Sequence, residues 1–201
     1  MNGEQNRGRD YGRINKLYNS IMGAEHQGYL GTTDPNTGEE YDPWIRTKAV
    51  GTGSSAFGPV QLTGGSGSMM ANVVGGGVDI GASPEELDWI KSRYLPSANK
   101  ALEFGGADMP EGSIDPLTGK DVSMYDYGGS WDFNDQDKLM YQSVANKLIQ
   151  SEFDRAGGDI DSFIEAWRGK SYDEDPEYYE HIKGQVGAGN KKDQFGYGTS
   201  K

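Results

Sequence analysis

The chain contains no cysteine. A disulfide framework and a thiolate metal site are therefore excluded. The absence fits a reducing compartment without requiring one, because many exported proteins also lack cysteine. Long apolar runs are missing as well. No stretch approaches the roughly eighteen consecutive apolar residues that mark a membrane-spanning helix. The first seven residues, Met1 to Arg7, are polar and lack the apolar centre of a secretory signal. Basic residues are few, 19 against 31 acidic ones, and the formal net charge is −12. That balance argues against a general nucleic-acid binder, which needs a basic face to neutralise phosphates. It also argues against anionic lipid surfaces. A neutral polymer such as a polysaccharide is compatible with it, and so is a surface that is acidic only for solubility.

What is present is length enough for a core, and helical patterning. A chain of 201 residues suits one domain and can bury a sizeable interior. The apolar fraction is low, 34 %, and Gly is abundant, 31 residues. A modest core with long loops and flexible ends follows. Residues 1–9 read as an arm. From Asp10, a plausible N-cap, the residues Ile14, Leu17, Tyr18, Ile21 and Met22 recur at helical spacing. Glu25 lies on the same stripe, and Gly28 ends the helix. Residues 29–82 carry no convincing helix, although 44–62 have room for a short β-hairpin. Ser83-Pro84-Glu85-Glu86 opens a second helix with Ser as N-cap and Pro at the first position. Its expected buried face is Leu87, Ile90, Tyr94 and Leu95. Pro96 bends or ends it, and a shorter piece through Leu102 and Phe104 follows. A third and strongest helix starts at Asn134 or Asp135, with Leu139, Met140, Val144, Leu148, Ile149 and Phe153 inward. Gly157-Gly158 stops it. A fourth, capped by Asp159 or Asp161, turns Phe163, Ile164 and Trp167 inward and ends at Gly169. A fifth runs from about Pro176 to Lys183 through Tyr178, Tyr179 and Ile182. Residues 184–201 read as a Gly-rich tail.

Several motifs invite chemistry and fall short of it. Asp34-Pro35-Asn36-Thr37-Gly38 and Asp115-Pro116-Leu117-Thr118-Gly119 carry oxygen ligands of the kind calcium uses, but the spacing of an EF-hand loop is absent. They read as ordinary turns, and no metal site is expected. The runs Gly64-Gly65-Ser66-Gly67-Ser68 and Gly75-Gly76-Gly77 lack the Gly-Lys-Ser/Thr ending of a phosphate loop. Residues 105–133 form a loop rich in aromatics, with Tyr125, Tyr127 and Trp131. Such rings either stack on sugar faces or anchor a loop on a core. Arg46 suits pairing with an acidic loop residue.

Glu25 is the residue best placed for catalysis. It closes an apolar helix, where burial can raise the pKa of a carboxyl and keep a proton available near neutrality. Protonating a glycosidic oxygen needs such a group. About thirty residues later comes Ser54-Ser55-Ala56-Phe57-Gly58-Pro59-Val60-Gln61-Leu62. A hydrolase would ordinarily need a second carboxylate at a distance set by stereochemistry. Asp34, Glu39, Glu40 and Asp42 are available, but nothing in the sequence places one opposite Glu25. His26 has the pKa range of a proton shuttle, although a polar residue facing loop or solvent is the plainer reading.

In these elements the chain resembles the lytic transglycosylases of the goose-type lysozyme-like superfamily, especially phage virion-associated members. The helix ending in Ala24-Glu25 matches the catalytic Glu of that family. Ser54 to Leu62 matches its Ser-x-Ala-x-Gly-x-x-Gln-Leu/Ile segment. Gly158-Asp159, Ala166-Trp167-Arg168-Gly169 and Tyr178-Tyr179 match in part its Gly-Asp, Ala-Tyr-Asn-Ala-Gly and short Tyr-containing helix. Trp167 stands where Tyr is usual, Arg168 where Asn is usual, and His26 where Ser is frequent, so the cleft floor is altered.

The resemblance spans roughly residues 12–183 and implies a mainly α, lysozyme-like domain over residues 10–183 that needs no cofactor. It implies cleavage of the MurNAc-GlcNAc β-1,4 bond of peptidoglycan, with Glu25 as acid and then base. Ser55 would orient the Glu or an N-acetyl group, and Gln61 would bond sugar hydroxyls. Tyr127 and Trp167 are the candidate sugar-stacking rings. The implied partners are glycan strands and other virion proteins, and the implied setting is a phage particle that opens the cell wall during genome delivery. A structural virion protein that keeps the fold without activity, and a hydrolytic lysozyme, are the alternatives.

Overall fold

The computed structural model describes residues 3–26, 30–33, 40, 43–44, 56, 58–64, 68–96 and 133–187, with the side chains of 3–11 outside the description. The protein is mainly α. Six α-helices lie among the described residues: α1 (Gly3–Glu25), α2 (Met69–Val74), α3 (Pro84–Trp89), α4 (Asp135–Arg155), α5 (Ile160–Arg168) and α6 (Pro176–Gly187). No strand forms among the described residues. Thr33 and Glu40 meet in an isolated antiparallel bridge, and most of the expected hairpin at 44–62 lies outside them. No helix there is long and apolar enough to cross a membrane.

The helix signals in the sequence are used as capping chemistry dictates. Ser83 accepts from the Glu86 backbone N–H while Glu86 accepts from the Ser83 N–H, a complete capping box with Pro84 at the first position. Asn134 and Asp137 form the same reciprocal pair at the start of α4. Asp159 caps α5, and Gly169, at φ +70°, closes it.

α1 lies against α6 along its greatest contact and against α4, while α4 also packs on α3 and α5. Ile14, Leu17, Tyr18, Ile21 and Met22 are all buried, as their spacing predicts. Full burial of a Leu17 or Ile21 side chain is worth about 1.5–3 kcal/mol each. Near the end of α1 a β-carbon on Gly23 would sit 2.6 Å from His181 Nε2. The absence of a side chain there lets α6 approach the turn that carries Glu25.

Five expectations are corrected. The helix of Glu25 begins at Gly3, so residues expected as an arm are helical. Met69–Val74 is a helix inside the stretch expected to have none, capped by Ser68, which accepts from the Ala71 N–H. Its six residues are too short for periodicity to register. α6 continues to Gly187, four residues into the expected tail. On α4, Leu139 is 62 % exposed, and Tyr141 and Ala145 are buried in its stead. The stripe runs Asp137, Tyr141, Val144, Ala145, Leu148, and Leu139 falls two residues, about 200°, off it. On the second helix Trp89 takes the buried place expected of Leu87. Ile90–Tyr94 continues as a π turn, which brings Ile90 and Tyr94 both inward. The piece through Leu102 and Phe104 lies outside the described residues.

Candidate functional site

Glu25 sits in the last turn of α1, half-buried. The Tyr178 hydroxyl, from the first turns of α6, donates to Glu25 Oε1 at 2.9 Å. Burial, then the charge of Glu25 and this hydrogen bond, push the Tyr178 phenol well above its ordinary value of 10.0. Tyr178 is therefore a neutral, committed donor across the working range.

Arg168, the last residue of α5, lies over the other side of this arrangement. Its guanidinium carbon is 4.9 Å from the centroid of the Tyr178 ring. Its Nε donates to Asp175 Oδ2 at 3.0 Å. Burial works against the Arg168 charge, but the Asp175 hydrogen bond and the charges of Glu25 and Asp175 outweigh it and raise its pKa. Arg168, Tyr178 and Glu25 thus form a connected group drawn from three helices.

The turn at 58–62 lies beside the end of α1. Gly58 adopts φ +76°, and a β-carbon there would stand 2.7 Å from the Tyr141 ring. The Val60 and Leu62 N–H groups both point at the Tyr141 hydroxyl oxygen, at 3.4 and 3.5 Å. Tyr94 donates its hydroxyl to the Leu62 carbonyl at 2.6 Å. The end of α1 is tied to the same turn: His26, fully buried, donates from Nε2 to the Gly58 carbonyl at 3.2 Å. Burial above all, then Tyr18, and more weakly Glu25, push Tyr141 well above its ordinary value. Tyr141 therefore couples the turn to the neighbourhood of Glu25.

The expected site residues separate accordingly. Glu25 is brought together with Tyr178 and Arg168. Gln61 lies in the turn at φ +51°, a strained conformation for a non-glycine residue. Its side-chain amide donates to the Gly58 carbonyl at 2.9 Å. Trp167 is partly buried against the core, its ring 5.9 Å from that of Phe163, the packing position its helical spacing predicts. His26 does not face solvent: its ring is fully buried and faces the 58–62 turn, bonded to the Gly58 carbonyl. Ser55 and Tyr127 lie outside the described residues, as do Tyr125, Trp131, Arg46 and both Asp-Pro-x-Thr-Gly turns. Of the possible second carboxylates, Glu40 is exposed and bridges Thr33; Asp34, Glu39 and Asp42 lie outside the described residues. No group of three His, Asp or Glu side chains among the described residues is arranged to hold a metal ion.

The sequence pointed to the helix of Tyr178 and Tyr179 without distinguishing the two rings. Tyr179 donates instead to the Lys170 carbonyl at 2.9 Å. Tyr141 was not singled out, although it lies three residues before Val144 and four before Ala145. Comparison with protein-family models, with curated proteins and with solved structures found no match for this chain.

Proposed function

We propose that the protein is a peptidoglycan lytic transglycosylase with a lysozyme-like fold and Glu25 as its single acid and base. The observation that carries the reading is the hydrogen bond from the Tyr178 hydroxyl to Glu25 Oε1. It holds one oxygen of the Glu25 carboxyl in place. The Glu25 carboxyl gives its proton to the glycosidic oxygen as the bond from the muramoyl C1 to that oxygen breaks. The resulting carboxylate then takes the proton of the muramoyl 6-hydroxyl, whose oxygen bonds to C1. The products are a 1,6-anhydromuramoyl end and a free GlcNAc hydroxyl. The proton is back on Glu25, and no water is consumed. One carboxyl suffices for this sequence, in contrast to hydrolysis with its carboxylate pair.

The resemblance to phage virion-associated members sets the proposed place of action, the cell wall during genome delivery, with other virion proteins as partners. A second reading, a structural virion protein that keeps the fold without activity, draws on Gln61 and Trp167. The first turns its amide onto the Gly58 carbonyl, and the second packs on Phe163. Glu25→Gln separates the two readings. On the transglycosylase reading this variant stays folded and loses the ability to clear a suspension of purified cell walls. Clearing at the wild-type rate by the variant rules out Glu25 as the acid; no clearing by the wild type favours the structural reading.

A further inference from the structure

Arg168 stands where the resembled family carries Asn, and no step of the proposed reaction uses it. Its surroundings are nevertheless built. The guanidinium carbon lies over the Tyr178 ring, 4.9 Å from its centroid, and Asp175 holds the group at 3.0 Å. Lys170 Nζ stands 4.0 Å from the same Asp175 oxygen. The ring so covered is the one whose hydroxyl reaches Glu25. Asp175, Arg168, Tyr178 and Glu25 therefore run as one chain of contacts from the loop before α6, through α5 and α6, to the end of α1. A bare charge at the end of α5 would favour the helix dipole without any of this geometry. A planar, forked cation that stacks on one residue and pairs with another restrains both.

We propose that Arg168, clamped by Asp175 and laid on the Tyr178 ring, is a positioning residue that holds the Tyr178 hydroxyl on Glu25. The inference rests on Glu25 being the acid and base, but its first test needs no turnover. Tyr141 from α4 and Tyr178 from α6 also feel the Glu25 charge, and burial keeps both neutral. His181 of α6 faces Gly23, two residues before Glu25. Arg168 is a full charge that acts on Glu25. A full charge that acts on a nearby carboxyl moves its titration by about half a pH unit.

The experiment follows the Glu25 carboxyl by carbon-13 NMR titration in the full chain, with Glu25→Gln identifying its signal. Arg168→Met should move the Glu25 midpoint upward by about half a pH unit. On a soluble glycan fragment, Arg168→Met and Arg168→Lys should both lower kcat by about tenfold with KM little changed, because lysine keeps the charge but not the planar stack. Asp175→Ala, which removes the acceptor of the Arg168 Nε, should lower kcat in the same direction, and it serves if Arg168→Met does not fold. An unmoved Glu25 midpoint in Arg168→Met overturns the proposal, as does full kcat in Arg168→Lys or Asp175→Ala. If the wild type turns nothing over, the acid-base reading of Glu25 fails by itself, and the titration still decides whether Arg168 acts on Glu25.

Discussion

Replacing Gly58 with alanine tests how the 58–62 turn is seated. The backbone there has φ +76°, which costs an L-residue about 1–2 kcal/mol. The new β-carbon would lie 2.7 Å from Tyr141 Cε2 and Cζ and 2.8 Å from its hydroxyl oxygen. The ring cannot step aside cheaply. It is fully buried, its hydroxyl faces two backbone N–H groups, and Trp44 meets it edge-on at 5.2 Å. Forcing an extra carbon into such a contact costs about 1–3 kcal/mol more. The expected loss is therefore about 2–5 kcal/mol, a fall in Tm on the order of 10 °C for a domain of this size. Urea denaturation followed by circular dichroism measures it. Repeating Gly58→Ala in a Tyr141→Leu background removes the ring but not the backbone strain. The cost should there shrink to about 1–2 kcal/mol, a coupling of about 1–3 kcal/mol. A loss below about 0.5 kcal/mol in the wild-type background, or the same loss in both backgrounds, refutes the seating of Gly58 against Tyr141.

Tyr178→Phe keeps the ring under Arg168 and removes only the donor to Glu25. A hydrogen bond to a charged group is worth about 1.5–3 kcal/mol, so cell-wall clearing should slow by about ten- to a hundredfold. The Tm should stay within a few degrees; an unchanged rate dismisses the hydroxyl as a catalytic aid. Acid should unfold the protein through Glu86 and Asp137. Burial, the largest influence on each, raises their pKa. It is outweighed for Glu86 by hydrogen bonds from Lys147, Ser143 and the Ser83 N–H, and for Asp137 by Arg93, Trp89 and the Asn134 N–H. Both carboxyls therefore titrate below their ordinary values of 4.5 and 3.8. The stability they contribute is complete above those pH values and is lost as pH falls beneath them. Glu86→Gln should be less stable than the wild type at neutral pH, with the gap closing below pH 4.5; a gap constant with pH contradicts this.

The legibility of the sequence followed the physics of each signal. α1, α5 and α6 were readable because their apolar residues recur over several turns; of their ends, Asp159 and Gly169 mark α5, whereas α1 starts seven residues before Asp10 and α6 runs past Lys183. α2 was not, because six residues make too few turns for a period. The inward face of α4 was misjudged because Leu139 is the more apolar residue. Tyr141 won the interior through a hydroxyl that serves the backbone of a turn about eighty residues away. Glu25 was legible as a carboxylate on an apolar stripe. Its partnership with Tyr178 was not, since it spans 153 positions in the chain and depends on α6 closing over Gly23. Arg168 was legible only as a departure from the pattern of the family the sequence resembles. The contacts with Tyr178 and Asp175 that give it a role arise from the packing of α5 beside α6.

The central claim is that Glu25 alone, held by Tyr178, cleaves glycan without water. Mass spectrometry of purified peptidoglycan digested by the wild type and by Glu25→Gln tests it most directly. The account predicts 1,6-anhydromuramoyl ends from the wild type and none from the folded variant. Reducing muramoyl ends from the wild type, or anhydro products from both proteins, would contradict it.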